Sequence, residues 1–193
     1  MSFYIEHPDE WIGVPEYWPF PTPQGGIMAD AGEWADAVVD GISGDDPDAL
    51  SPEARARIIA LLLLAARRGE RAGARVFVAF EGWDGPAYIV EAVTEPKSVL
   101  GSRTLEQFAG VDDPDQVGPP FGESFVTESG LIGARSYRYL PLAEEGVIYA
   151  RADYVFAEGD VVLSIRGMES DLVFFEKLKP ELAALAGSVS WRG

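Results

Sequence analysis

The chain has 193 residues, 47% of them hydrophobic and 24% charged, the balance of a globular protein with one well-cored domain and far from the disordered regime. It has no cysteine and a single histidine, His7, which excludes disulfides, zinc-thiolate sites, thiol nucleophiles, iron-sulfur clusters and any two-histidine metal site. The net charge of −17 is uneven: residues 1–54 hold twelve Asp or Glu and no Lys or Arg, a field that repels nucleic-acid phosphates and anionic lipid and attracts a basic partner.

The first segment, "MSFYIEHPDE", lacks the basic and apolar regions of a secretory signal, and no apolar run approaches the ~20 residues needed to span a bilayer. A cytoplasmic protein without membrane contact is expected. "EHPDEWIGVPEYWPFP", residues 6–21, then sets Trp11, Tyr17, Trp18 and Phe20 among four prolines and four acidic residues. The prolines keep it out of a sheet centre, and aromatics of this size favour burial, so residues 1–29 are expected to form a lid on the core. The competing reading is a proline-rich partner motif.

"DAGEWADAVVDGI" carries Trp34, Ala35, Val38, Val39 and Ile42 at helical spacing behind the cap-like pair Asp30 and Glu33. "SPEARARIIALLLLAARRGERAG" follows as a longer helix, with Ser51 as its cap, Pro52 at its first position and Gly69 or Gly73 as its terminator. From residue 74 the period becomes two. "ARVFVAFE" and "AYIVEAVTE" read as a hairpin around "GWDGP", and a short helix is predicted at "SRTLEQFAG" with Ser102 or Thr104 as its cap.

"SFVTESGLIGARSYRYL", "VIYARADYVFA" and "VVLSIRG" are read as three meander strands. In the middle one, Ile148, Ala150, Ala152, Tyr154 and Phe156 define a core face, with Tyr149, Arg151 and Asp153 on the other. "ESDLVFFEKLKPELAALAG" is a helix that Pro180 should kink or restart, and "SVSWR" an extended end. The fold class is therefore α+β: one domain over 1–193, with a lid at 1–29, helices at 30–73, and an antiparallel meander with its closing helix at 74–193.

This order of elements resembles the layered sandwich shared by the photosystem II PsbP protein, the Ran-binding Mog1 protein and lipoproteins of the LpqN type. The resemblance rests on "VFVAFEGWDGPAYIVEAV", "TLEQF", "GLIGARSYRY", "YARADYVFAEGDVVLSI" and "FFEKLKPELAALAGSVSW", and covers about residues 50–193. "PDEWIGVP" and "EWADAVVDGI" are also similar to the starts of uncharacterised actinobacterial proteins with this arrangement. The lipobox cysteine of the lipoprotein members is missing here. What the resemblance implies is a binding scaffold or adaptor, of the secretion-chaperone or immunity type.

No Walker loop, GxSxG elbow or GxGxxG is present, and "GDDPD" lacks the spacing of a calcium loop. The expectation is a non-catalytic protein with no cofactor and no metal; a hydrolase or lyase using surface carboxylates is the alternative. The residues assigned to a basic protein partner are Asp36, Asp40, Asp45 and Asp46, for steering, and Tyr149 and Arg151, for anchoring. Oligomeric state is left open.

Overall fold

The computed structural model describes residues 2–22, 25–44, 46, 49–142 and 146–192. In chain order they form β1 (Ser2–Ile5), β2 (Trp11–Gly13), β3 (Phe20–Pro21), β4 (Ile27–Met28), α1 (Ala31–Ser43), α2 (Pro52–Ala72), β5 (Arg75–Phe80) and β6 (Ala87–Pro96). A 3-10 turn at Lys97–Leu100 leads to α3 (Leu105–Phe108), β7 (Phe121–Val126), β8 (Ile132–Leu142), β9 (Val147–Glu158), β10 (Val161–Glu169), α4 (Leu172–Gly187) and β11 (Val189–Arg192). The fold is α+β, and the strand pairs described below are all antiparallel. The chain divides into two compact units, Glu10–Ile89 and Met1–Asp9 with Val90–Gly193.

In the unit Glu10–Ile89 the two long helices begin and end on the residues that local chemistry selects. Asp30 accepts the N–H groups of Gly32 and Glu33 at 2.8 and 3.0 Å, Ser51 accepts that of Ala54, and Gly73 closes α2 in the left-handed region at φ 58°. Their apolar stripes meet: Trp34, Ala35 and Val39 of α1 pack with Ile58, Leu62 and Ala65 of α2 and with Val76 and Val78 of β5. Proline limits β2 to three residues, paired from Trp11 opposite Ala79 to Gly13 opposite Phe77. Trp11 is 2% exposed, and Trp18 is half-buried with its ring 6.2 Å from that of Trp34. Within this unit Ile12, Val14 and Trp18 pack on the helix core, Phe20 is half-buried and Tyr17 is 63% exposed.

In the other unit β6, β10, β9, β8 and β7 follow one another as an antiparallel run, and β1 pairs with β11. The first expected meander strand is two strands. Thr127 and Leu131 close a turn inside "SFVTESGLIG", where Gly130 takes φ 83°, a conformation that glycine adopts without strain. Ala150, Ala152, Tyr154 and Phe156 are all fully buried, on the face that α4 covers with Phe175, Leu178, Leu182 and Leu185. Gly167 permits that approach, since a Cβ there would lie 3.1 Å from both Leu178 and Leu182. The helix runs unbroken through Pro180 rather than restarting, held by apolar residues buried on either side of the proline.

The opposite face departs from expectation. Asp153 was placed on an open face, yet it is 3% exposed, and its neighbour Val155 is 1% exposed. The reason is α3: Thr104 and Gln107 cap it reciprocally, and Leu105, Phe108 and Ala109 pack over Val155, Val162 and Ala157. A face read as solvent-side is thus covered along half of β9.

Candidate functional site

At the edge of that cover the sheet face changes from apolar to charged. Going back along β9, Ala157 and Val155 lie beneath α3, Asp153 is buried, and Arg151 and Tyr149 are half-buried. Strand register brings further charges to Asp153: Ser136 and Arg166 stand opposite it on β8 and β10, and Arg138 stands opposite Arg151. Two guanidinium groups directly opposed across a strand pair repel each other unless an anion lies between them.

Asp153 is that anion. Its Oδ2 accepts from Arg138 Nη2 and from Arg151 Nε, each at 2.7 Å, and its Oδ1 accepts from Arg151 Nη2 at 2.7 Å. Arg166 Nε lies 3.7 Å from Oδ1. Arg138, 6% exposed, also donates through Nη1 to Asp113 Oδ2 at 2.6 Å, which ties the loop after α3 to the sheet. Ser136 Oγ adds a bond of 2.6 Å to the Ala109 carbonyl. Burial works against the Arg151 charge, but hydrogen bonding to Asp153 and the charges of Asp153, Asp113 and Glu91 outweigh it, and the guanidinium pKa is raised. Its charge is permanent.

The loop passes close over Arg138 because residue 110 is glycine. Gly110 has φ 91°, and a Cβ there would overlap the Arg138 guanidinium. Above this contact lies an open pocket of about 400 Å³ lined by Arg103, Arg138, Arg151, Gln107, Asp112 and Asp113, with Phe108 and Gly110. Gln107 Nε2 holds Asp112 at 2.9 Å. Arg103 donates to the carbonyls of Leu100 and Val99 at 3.2 and 2.6 Å and lies 4.7 Å from the centre of the Phe108 ring, with no ion pair among the described residues. The buried Nε of Arg138 has no hydrogen-bond partner among the described residues.

Of the residues assigned from sequence, Arg151 lines this pocket and Tyr149 follows it on the same strand face. Arg151 gives its Nε and Nη2 to Asp153. Asp36 and Asp40 are exposed on α1, where Arg55 lies 3.9 and 2.8 Å from them, and Arg75 pairs with Glu16, so the acidic front is partly compensated from later in the chain. Asp46 is exposed, and Asp45 lies outside the described residues. Arg103, Gln107, Asp113 and the central role of Asp153 were not anticipated. Counting back through the short hairpins would have put Arg138, Arg151, Asp153 and Arg166 on one face of three neighbouring strands.

No group of three or more His, Cys, Asp or Glu among the described residues is arranged to hold a metal ion, and no helix among them is long and apolar enough to cross a membrane. No protein-family model and no curated protein sequence matches the chain.

Proposed function

We propose that the protein is a non-catalytic binding module whose recognition site is the arginine-lined pocket beside α3. One observation carries this reading: a single buried carboxylate, Asp153, fixes the two guanidinium groups of Arg138 and Arg151 at the pocket wall. Guanidinium keeps its proton at any working pH, so such groups orient and neutralise a ligand rather than exchange protons with it. The carboxylates a hydrolase or lyase would use here are engaged, Asp113 by Arg138 and Asp112 by Gln107. The PsbP- and Mog1-type resemblance points the same way, to a scaffold.

The test is a thermal-shift screen of the full chain against small ligands, repeated with Arg103→Ala, beside turnover assays with ester, glycoside and phosphoester substrates. Stabilisation that the variant loses, without turnover, is the expected result. Turnover abolished by Asp113→Asn would overturn the reading.

A second reading keeps the basic protein partner. Asp36, Asp40 and Glu33 lie exposed on α1, which carries no basic residue of its own. A partner steered to this face would associate more slowly as salt rises and after Asp36→Asn with Asp40→Asn. A rate indifferent to both would remove it.

A further inference from the structure

We infer that the pocket beside α3 takes a small oxyanion, a carboxylate or phosphate group, bound by Arg103, Arg138 and Arg151. The inference rests on the pocket being a recognition site and adds the chemistry of its ligand. The guanidinium groups of Arg103 and Arg151 each keep donor capacity that the described residues do not use. Arg151 spends Nε and Nη2 on Asp153 and leaves Nη1. Arg103 spends Nε and Nη2 on two carbonyls and leaves Nη1. Arg138, whose unpartnered Nε is buried out of reach of solvent, adds its charge at the pocket wall rather than an open donor. A planar fork with open N–H groups matches the oxygens of carboxylate or phosphate, and such charge-assisted bonds are the strong ones.

The negative side is equally explicit. Asp112 and Asp113 share the lining, and Asp153 lies behind it. Their carboxylates are already turned to Gln107 and Arg138, and to Arg138 with Arg151. Near charge balance makes the pocket selective: an anion gains only where its oxygens meet the open donors. Asp113 and Asp153 hold Arg138 in place, and the missing Cβ of Gly110 leaves room for it, so the site is formed before the ligand arrives.

The experiment is titration of the full ¹⁵N-labelled chain with inorganic phosphate and with succinate, against chloride at constant ionic strength, observing arginine Nε–Hε signals. Saturable shifts of Arg103, Arg138 and Arg151 are expected. Arg103→Ala should weaken binding at least about tenfold, Arg103→Lys less, and Arg192→Ala, far along the chain on β11, not at all. A blocked penta-glutamate peptide separates sources: binding tighter than succinate assigns the group to a protein partner, and weaker binding to a free anion, both within the same chemistry. If phosphate and succinate act no differently from chloride while neutral or cationic compounds from the thermal screen move these signals, the oxyanion assignment falls and the binding module stands. If no compound moves them, both fall.

Discussion

Replacing Asp153 by Asn tests the centre of the site with the smallest change of shape. The amide keeps one acceptor oxygen, but its NH₂ faces guanidinium donors, and Arg138 and Arg151 are left opposed in register without the charge between them. Asp153 is 3% exposed and Arg138 6%, so little solvent is available to make good the loss. Removing one partner from a buried pair costs about 3–5 kcal/mol. For a chain of this size each kcal/mol lowers the thermal midpoint by about 2–4 °C, so the variant should unfold about 6–20 °C earlier in circular-dichroism melts. A change of less than about 2 °C would refute the reasoning. The triple variant Arg138→Met, Arg151→Met, Asp153→Leu separates stability from function, because apolar replacement of a whole buried network is often neutral or stabilising. It should melt above Asp153→Asn while losing the phosphate response. If it melted as low as the single variant, the network would be a stabilising device and not a retained recognition element.

Gly110→Ala should destabilise more than Gly118→Ala: both glycines have positive φ, costing about 1–3 kcal/mol for alanine, but only the first new methyl meets Arg138. Urea midpoints of the two variants measure the difference, and equal losses would remove Gly110 from the site's design. Trp11→Ala should cost about 3–5 kcal/mol and Tyr17→Ala close to nothing, by the same denaturation assay; a stable Trp11 variant would end the lid interpretation. Tyr154 is fully buried and its hydroxyl lies 2.9 Å from that of Tyr137; burial first, then that neighbour, raises its pKa above the ordinary tyrosine range. The folded state therefore holds this proton where the unfolded chain releases it, so its stabilisation is complete below about pH 10 and is lost as pH rises further. Thermal midpoints from pH 8 to 12 should fall less steeply in Tyr154→Phe than in the parent; parallel curves would contradict the assignment.

The elements legible in the sequence are those governed by local chemistry. Ser51, Pro52 and Gly73 bound α2 as their types require, and Thr104 caps α3 where its spacing to Gln107 allows a capping box. The alternation along β9 assigned the face that α4 covers from Ala150 to Phe156, whereas Ile148, expected on the same core face, is 39% exposed at the start of the strand. The second face was misread because alternation reports which residues share a side and says nothing of what covers that side. Four residues of α3 and the loop behind them, far from β9 in sequence, decide that Val155 and Asp153 are buried. The site was hidden for the same reason. Arg151 drew attention as an interface residue type, whereas its role depends on Asp153 two residues on and on Arg138 across the strand pair. The acidic front was visible in full, but its partners Arg55 and Arg75 lie outside it.

The arginine pocket poses a problem of charge control that the fold resolves locally. With 32 carboxylates and 15 cations in the chain, a mobile arginine would find an acidic partner at the surface. Twelve of the 15 cations are arginine, and the site sets three of them at one pocket. Acids more than a Debye length away, about 8 Å at physiological salt, contribute little to what a bound anion feels. What matters is which carboxylates reach the guanidinium groups and with which oxygens. Asp153 takes three N–H groups from two arginines with one side chain, and Asp113 takes one more, so the nearest acids are spent on positioning rather than on closing the pocket. Gly110 holds the loop low enough for Asp113 to reach Arg138. Strand register and a glycine therefore decide which carboxylates reach the guanidinium groups, and an overall charge of −17 is compatible with the proposed site for anions.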